Sequence, residues 1–312
     1  MSFLSLLKRP KRERRQILAN QTEILDRLGR LETLLGDQMR QLQLPAPVYV
    51  GDGTVLAETF FGSKIYVDGH DASVAPHIIR DGQWEPWLAD FIMRELKPGQ
   101  TFVDIGANCG FYALLAAHIV GQSGTVVAIE PQDRLAKLIR RSLFVNGFDS
   151  FAHCLPMAIG QVAATANLDK SDFLAGSASI AGVGKFHDSS EAVTVKPLAD
   201  ALSEAGEFEN LNREIRPDVI KIDSEGYEWY IWQGASDFFA SCDKLLICLE
   251  FSPMRYAVLG DNPAEFLDRI LADGFSISVV GPDSREKQLD SAQIADLAKV
   301  EYGHADLVLR KG

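Results

Sequence analysis

The run Phe102-Val103-Asp104-Ile105-Gly106-Ala107-Asn108-Cys109-Gly110-Phe111 decides the fold. An apolar run ends on a carboxylate, crosses two glycines, and continues into the apolar stretch Phe111–Val120. Strand, glycine turn and helix in that order open a βαβ unit. Outward from it the same alternation recurs. Strands are predicted at Thr101–Ile105, Thr125–Ile129, Phe151–Ile159, Val219–Ile222, Leu245–Phe251, Phe275–Val280 and Ala305–Leu309. Helices are predicted at Phe111–Val120, Asp133–Asn146 and Pro263–Asp273, with Asn146-Gly147 and Asp273-Gly274 as C-terminal stops. Apolar runs such as Leu245–Leu249 fit strands covered on both faces. The expected fold is a doubly wound α/β sheet, and such sheets bind ligands beyond the carboxyl ends of their strands.

The strand ends carry the chemistry. Gly106 and Gly110 permit a tight turn and close backbone approach to a ligand at a helix N-terminus, with Ala107 and Asn108 completing the turn. The spacing matches neither the dinucleotide fingerprint nor the P-loop. Asp104 would oppose a pyrophosphate and welcome a cation; S-adenosylmethionine carries an ammonium and a sulfonium and no phosphate. Glu130 follows Asp104 by 26 residues, at the end of the next predicted strand. There it either accepts the ribose hydroxyls or complements a helix dipole.

A third segment reads Ile220-Lys221-Ile222-Asp223-Ser224-Glu225-Gly226-Tyr227-Glu228. Acids so closely spaced at a strand end call for a cation, a hydrogen-bonding ligand or a proton-transfer task, unless they merely cap a helix. Lys221 offsets part of the charge, and Glu250 at the next strand end can join the group. Asp223 or Glu225, with Glu250 as alternate, are the candidate general bases. Asp223, Glu225 and Glu250 are also the set a divalent cation would use, although none is expected.

These segments, together with Asp81–Pro86 and Leu249-Glu250-Phe251, resemble the FkbM-type family of S-adenosylmethionine-dependent methyltransferases over residues 75–310. The resemblance implies a class I (Rossmann-like) methyltransferase fold of seven strands, the last antiparallel, and methylation of a hydroxyl oxygen on macrolide, sugar or glycan acceptors. It implies that Asp104, Gly106 and Gly110 line the methionine and ribose side and Glu130 the ribose. Asp223 and Glu225 occupy its Asp-x-Glu-Gly element near donor and acceptor. The expected reaction is O-methylation of a sugar or glycan; the alternatives are a small polyketide hydroxyl or a non-catalytic donor-binding scaffold. His304 lies on the ligand-binding edge if the last strand is antiparallel and could then polarise an acceptor hydroxyl. Trp84 and Glu85, with Trp87, form a candidate lid.

The chain has 312 residues and a formal charge of −12. Residues 1–44 hold nine Lys/Arg against five Asp/Glu, and the remainder 22 against 38. A body that acidic repels phosphate backbones, which argues against nucleic-acid binding. Four scattered cysteines without a CxxC pair, no apolar run long enough to span a membrane, and no signal peptide point to the cytoplasm. The predicted organisation is a basic tip and helix over 1–44, a linker and lid region over 45–98, and a methyltransferase domain over 99–312. Gln21, Leu28, Leu35 and Leu42 at a, with Ile17, Ile24, Leu31 and Gln38 at d, form a heptad seam. Residues 17–42 are therefore expected to mediate a homodimer or dock a glycan-assembly partner. Residues 1–15 are expected to make at most peripheral contact with the inner membrane face.

Overall fold

The computed structural model describes residues 24, 27–29, 44–171, 173–180, 188–208, 215–300 and 303–312. The chain divides into the units Met1–Leu44 and Pro45–Gly312. In the first unit, Ile24 and Leu28 are helical and exposed, at 56% and 50%. The other heptad positions and the basic tip over 1–15 lie outside the described residues.

Residues 45–98, expected to be a linker and lid region, hold regular structure. An antiparallel meander of β1 (Val48–Gly51), β2 (Thr54–Glu58) and β3 (Lys64–Asp68) is followed by helices α1 (Ala75–Asp81) and α2 (Pro86–Glu95). Strand β4 (Thr101–Ile105), helix α3 (Phe111–Val120), β5 (Thr125–Ile129), α4 (Asp133–Val145) and β6 (Ala152–Leu155) then complete the first βαβαβ half. The meander docks on α4: Ser142 Oγ accepts from Tyr66 N at 2.9 Å, and Arg134 pairs with Asp68.

After β6 the chain leaves the main sheet. β7 (Ala158–Ile159), β8 (Ala164–Lys170) and β9 (Ser189–Lys196) form a small sheet of order β7-β9-β8. The single strand expected over Phe151–Ile159 is thus two, broken at Pro156, which has no N–H for a ladder. Helix α5 (Leu198–Phe208), β10 (Val219–Ile222), α6 (Glu228–Ala240), β11 (Leu245–Phe251), α7 (Pro253–Leu259), α8 (Pro263–Ala272), β12 (Ser276–Val280), β13 (Glu286–Gln288), α9 (Ser291–Leu297) and β14 (Ala305–Lys311) follow.

The main sheet has the order β13-β12-β14-β11-β10-β4-β5-β6. It holds eight strands, not the expected seven. The addition is β13, a three-residue polar edge strand, Glu-Lys-Gln, paired antiparallel to β12. So short a polar stretch carries no alternation that a sequence reading could detect. β14 runs antiparallel between β11 and β12, as expected. Among the described residues no helix is long and apolar enough to cross a membrane.

Alternate residues along the central strands feed two cores. Phe102, Val126, Val219 and Leu246 pack under α2, α3 and α4; Val103, Val127, Ile220 and Ile247 pack under α5, α6 and α8. Trp232 anchors the second core, fully buried, with the rings of Phe239 and Phe275 at 4.8 and 5.3 Å and its Nε1 donating to Asp273 at 2.8 Å. Trp232→Ala therefore costs about 4 kcal/mol of stability in chemical denaturation; a loss below about 1 kcal/mol would contradict this packing.

Candidate active site

The glycine turn is built by close approach. A Cβ on Gly106, whose φ is +78°, would lie 1.8 Å from the Asp223 carbonyl oxygen. No other residue fits where the ends of β4 and β10 meet. The amides of Gly106 and Ala107 both donate to the Ile129 carbonyl, at 3.0 and 3.1 Å, tying the turn to the end of β5. Asn108 is left-handed at φ 51°, and Gly110 at φ 83° precedes α3.

A cavity of about 370 Å³ opens above these strand ends. On its donor side Glu130 accepts from Asn108 N at 2.8 Å through one oxygen and from Gln132 N at 2.9 Å through the other. Each oxygen keeps a lone pair, as two ribose hydroxyls require. Burial pushes Glu130 up to about 7, against the pull of those two amides. Asn108 Oδ1, on the cavity wall, is buried without a hydrogen-bond partner and suits a ligand donor. Among the described residues no lysine or arginine lines this side. The residues present therefore fit a cationic nucleoside.

Asp104 is placed differently from expectation. It points into the first core beneath the cavity, fully buried, in register with Lys221 on β10. Neither carboxylate oxygen has a hydrogen-bond partner, and the residue is absent from the cavity lining. Burial pushes it up to about 6, with Lys221 opposing.

A strap covers the donor side. Leu168 and Leu174–Ala178 line the cavity from above, and Ala175–Ser177 form a single 3₁₀ turn. Asp71 holds the strap, accepting from Ala175 N at 3.0 Å and from the amides of Ser73, Val74 and Ala75 at 2.8–2.9 Å. Gln132 Nε2 adds a bond to the Ala175 carbonyl at 3.1 Å.

The acceptor side gathers the acids. Lys221 Nζ donates to Asp223 at 2.8 Å and stands 4.9 Å above the Tyr112 ring. Burial raises Asp223, but Lys221 outweighs it and holds the carboxyl below its ordinary value. Arg255, from the first turn of α7, pairs with Glu225 and donates to Glu250 at 2.8 Å. Burial and Asp223 push Glu225 up to about 8. Burial, Asp223 and Glu225 push Glu250 well above its ordinary value. His304 Nδ1 lies 3.2 Å from the other Glu250 oxygen. Glu85, held up to about 7 by burial, accepts from the Tyr112 hydroxyl at 2.9 Å. Tyr227 closes one wall, its ring stacked on Tyr230 at 4.9 Å.

Gly106, Ala107, Asn108 and Glu130 thus line one side of the cavity, and Asp223, Glu225, Glu250, Trp84, Glu85 and His304 line the other; Gly110, at the turn's end, packs against Ile139 and does not line it. Trp87 instead donates to Asp306 at 2.7 Å outside the cavity. Sequence reasoning missed Arg255, Tyr112, Tyr227 and the strap. The signal for Arg255 was Ser252-Pro253 after β11, since proline in a first turn marks a helix starting at the same sheet edge. Among the described residues two groups approach as a cation would require, Asp223, Glu228 and Glu250 in one and Glu85, His304 and Asp306 in the other, each within 4.8 Å, and Glu225 is in neither. Glu228 is committed to the amides of Ser224 and Gly226, Asp223 to Lys221 and Glu250 to Arg255.

The strand order with β14 reversed inside it is that of a class I methyltransferase-like fold. The family profile of the methyltransferase FkbM domain matches residues 104–277, more than half of the chain. The chain belongs to that family. It is 36% identical over 56 residues to protein-L-isoaspartate O-methyltransferase 1 of Archaeoglobus fulgidus, covering 18% of this chain and 26% of that one. It is 31% identical over 127 residues to protein-L-isoaspartate O-methyltransferase 2 of the same organism, covering 37% and 54%. The chain therefore spans only a quarter to about half the length of these relatives. Among solved structures, the O-methyltransferase of Bacillus cereus in complex with SAH is 14% identical, covers 77% of this chain and 82% of that one, and has a TM-score of 0.40. The O-methyltransferase of Thermotoga maritima is 14% identical, covers 85% and 84%, and has a TM-score of 0.39.

Two outcomes follow from the donor side. Gly106→Ala destabilises the protein by about 3 kcal/mol and abolishes donor binding, because positive φ and the Asp223 carbonyl act together; calorimetry and a melt check both. A cation binds best when Glu130 and Asp104 are ionised, so protons compete with it below their values of about 7 and about 6. Donor affinity accordingly weakens on the order of tenfold from pH 7.5 to 6. A flat profile would show that these acids do not compensate the donor's charge.

Proposed function

We propose that this methyltransferase transfers its methyl group to a hydroxyl of a sugar or glycan. The observation that carries the reading is the acceptor side, where Asp223, Glu225 and Glu250 stand beside Tyr227 and Trp84 while both cavity cations are already paired. Carboxylates accept hydrogen bonds from hydroxyls in pairs, and aromatic faces take the apolar face of a sugar ring. Asp223, held ionised by Lys221, weighs against an anionic acceptor such as the isoaspartyl carboxylate implied by the names of the curated relatives.

S-adenosylmethionine, when bound, supplies a methyl group on an electrophilic sulfonium. The chain's residues have two tasks beside it. Glu130 and Asn108 hold the nucleoside, and the strap over Ala175–Ser177 keeps water from that side. Asp223, Glu225 and Tyr227 fix the acceptor ring so that one oxygen stands in line with the methyl carbon. Such positioning is worth several kcal/mol of the barrier.

Incubation of the protein with labelled donor and glycans of the source organism puts label into methyl ethers, read by mass and linkage analysis. Label in peptide carboxyls, or donor binding without transfer to any hydroxyl, would overturn the reading. Turnover persists after thorough chelation, since Lys221 and Arg255 already pair with Asp223 and Glu250, and Glu85 and Asp306 already accept from Tyr112 and Trp87. A tenfold loss restored by magnesium or manganese would reverse that expectation.

Residues 17–42 are the candidate docking element of this enzyme, supported by the exposure of Ile24 and Leu28 at d and a. Sedimentation then gives a dimer mass for the 312-residue chain and a monomer mass for residues 45–312; equal monomer masses would remove the self-association.

A further inference from the structure

We propose that His304, oriented by Glu250, is the group that takes the acceptor's proton. The inference rests on the hydroxyl-acceptor reading above and adds the identity of the base. It follows first from what the carboxylates already do. Asp223 is bound to Lys221 at 2.8 Å, Glu225 to Arg255, and Glu85 to the Tyr112 hydroxyl at 2.9 Å. Glu228 is fully buried and accepts from the Ser224 and Gly226 amides at 2.7 and 3.1 Å. Glu250 accepts from Arg255 through one oxygen at 2.8 Å and faces His304 through the other at 3.2 Å. Lys221 holds Asp223 below its ordinary value and so makes it a weak proton acceptor, while both oxygens of Glu250 are engaged by Arg255 and His304.

The imidazole is placed for the task. Its side chain is 41% exposed, and it lines the same cavity as Asp223 and Tyr227. With Nδ1–H given to Glu250, the lone pair is left on Nε2, the tautomer a general base requires. The reversed strand makes this possible. β14 runs antiparallel to β11 with Glu250 opposite Asp306, so residue 304, just before the strand, lies at the carboxyl ends of the parallel strands. Glu250 stands 3.2 Å from the ring, and Glu85 and Asp306 gather beside it with oxygens within 4.8 Å of a ring nitrogen.

The step balances. The acceptor oxygen forms a bond to the methyl carbon, its proton passes to Nε2, and the electron pair of the breaking C–S bond returns to sulfur. A methyl ether, a neutral thioether and an imidazolium result, and the single positive charge has moved from sulfur to the ring.

The test uses the whole chain, labelled donor and the hydroxyl acceptor found in the glycan assay, with His304→Gln, His304→Ala and Glu250→Gln. His304→Gln lowers kcat by about 10²–10⁴-fold while donor affinity stays within about twofold of wild type by calorimetry. Added imidazole restores part of the His304→Ala turnover. Glu250→Gln lowers kcat with little change in acceptor KM, as expected of a positioning residue. His304→Gln turning over within about threefold of wild type overturns the proposal. Loss in His304→Ala that imidazole leaves unrestored, with a raised acceptor KM, reduces His304 to a binding contact and overturns it too. A wild-type protein that methylates no hydroxyl removes the acceptor reading and this base together; an active wild type with active His304 variants removes the base alone.

Discussion

The site depends on one buried ammonium. Lys221 lies inside the first core, between Asp104 on the neighbouring strand and Asp223 two residues on, with the Tyr112 ring below it. Burial alone would pull it toward neutrality, yet Asp223, Asp104 and Glu85 carry it upward, so it stays charged. Removing it would leave buried carboxylates without compensation, a far larger loss than that of one surface pair. Because Lys221 keeps Asp223 ionised, the acceptor side has a fixed negative group at the point where the two halves of the cavity meet.

From that point the cavity divides by charge. On one side Glu130 and the buried Asn108 Oδ1 offer acceptors, and among the described residues no guanidinium or ammonium lines that side, which suits a sulfonium nucleoside better than a diphosphate. On the other side Arg255 links Glu225 and Glu250, and the second oxygen of Glu250 reaches His304. The carboxylates of the two sides differ in their partners: Glu130 has backbone amides, Asp223 an ammonium, and Glu225 and Glu250 a guanidinium.

Positioning comes from elements outside the central sheet as much as from it. The meander and the α1 segment bring Asp71 to the strap, and β7–β9 bring the strap to the donor side. The turn between α1 and α2 supplies Trp84 and Glu85. A doubly wound sheet offers strand ends; its covering is what turns an edge into an enclosed site.

The amino-acid sequence by itself determined the strand–turn–helix unit, the two glycines, Glu130, and the Asp223/Glu225 segment, because a chain reversal and a ligand at a strand end impose residue types at short spacing. Helix stops at Asn146-Gly147 and Asp273-Gly274 were legible for the same local reason. Tertiary structure decided which face Asp104 takes, and it takes the core, since facing is set by register with β10. It also decided that Arg255 reaches Glu225 and Glu250, that β13 adds an edge, and that reversed β14 carries His304 to Glu250. Those are contacts between residues far apart along the chain. Their partners are chosen by packing and strand order, and no local pattern records either.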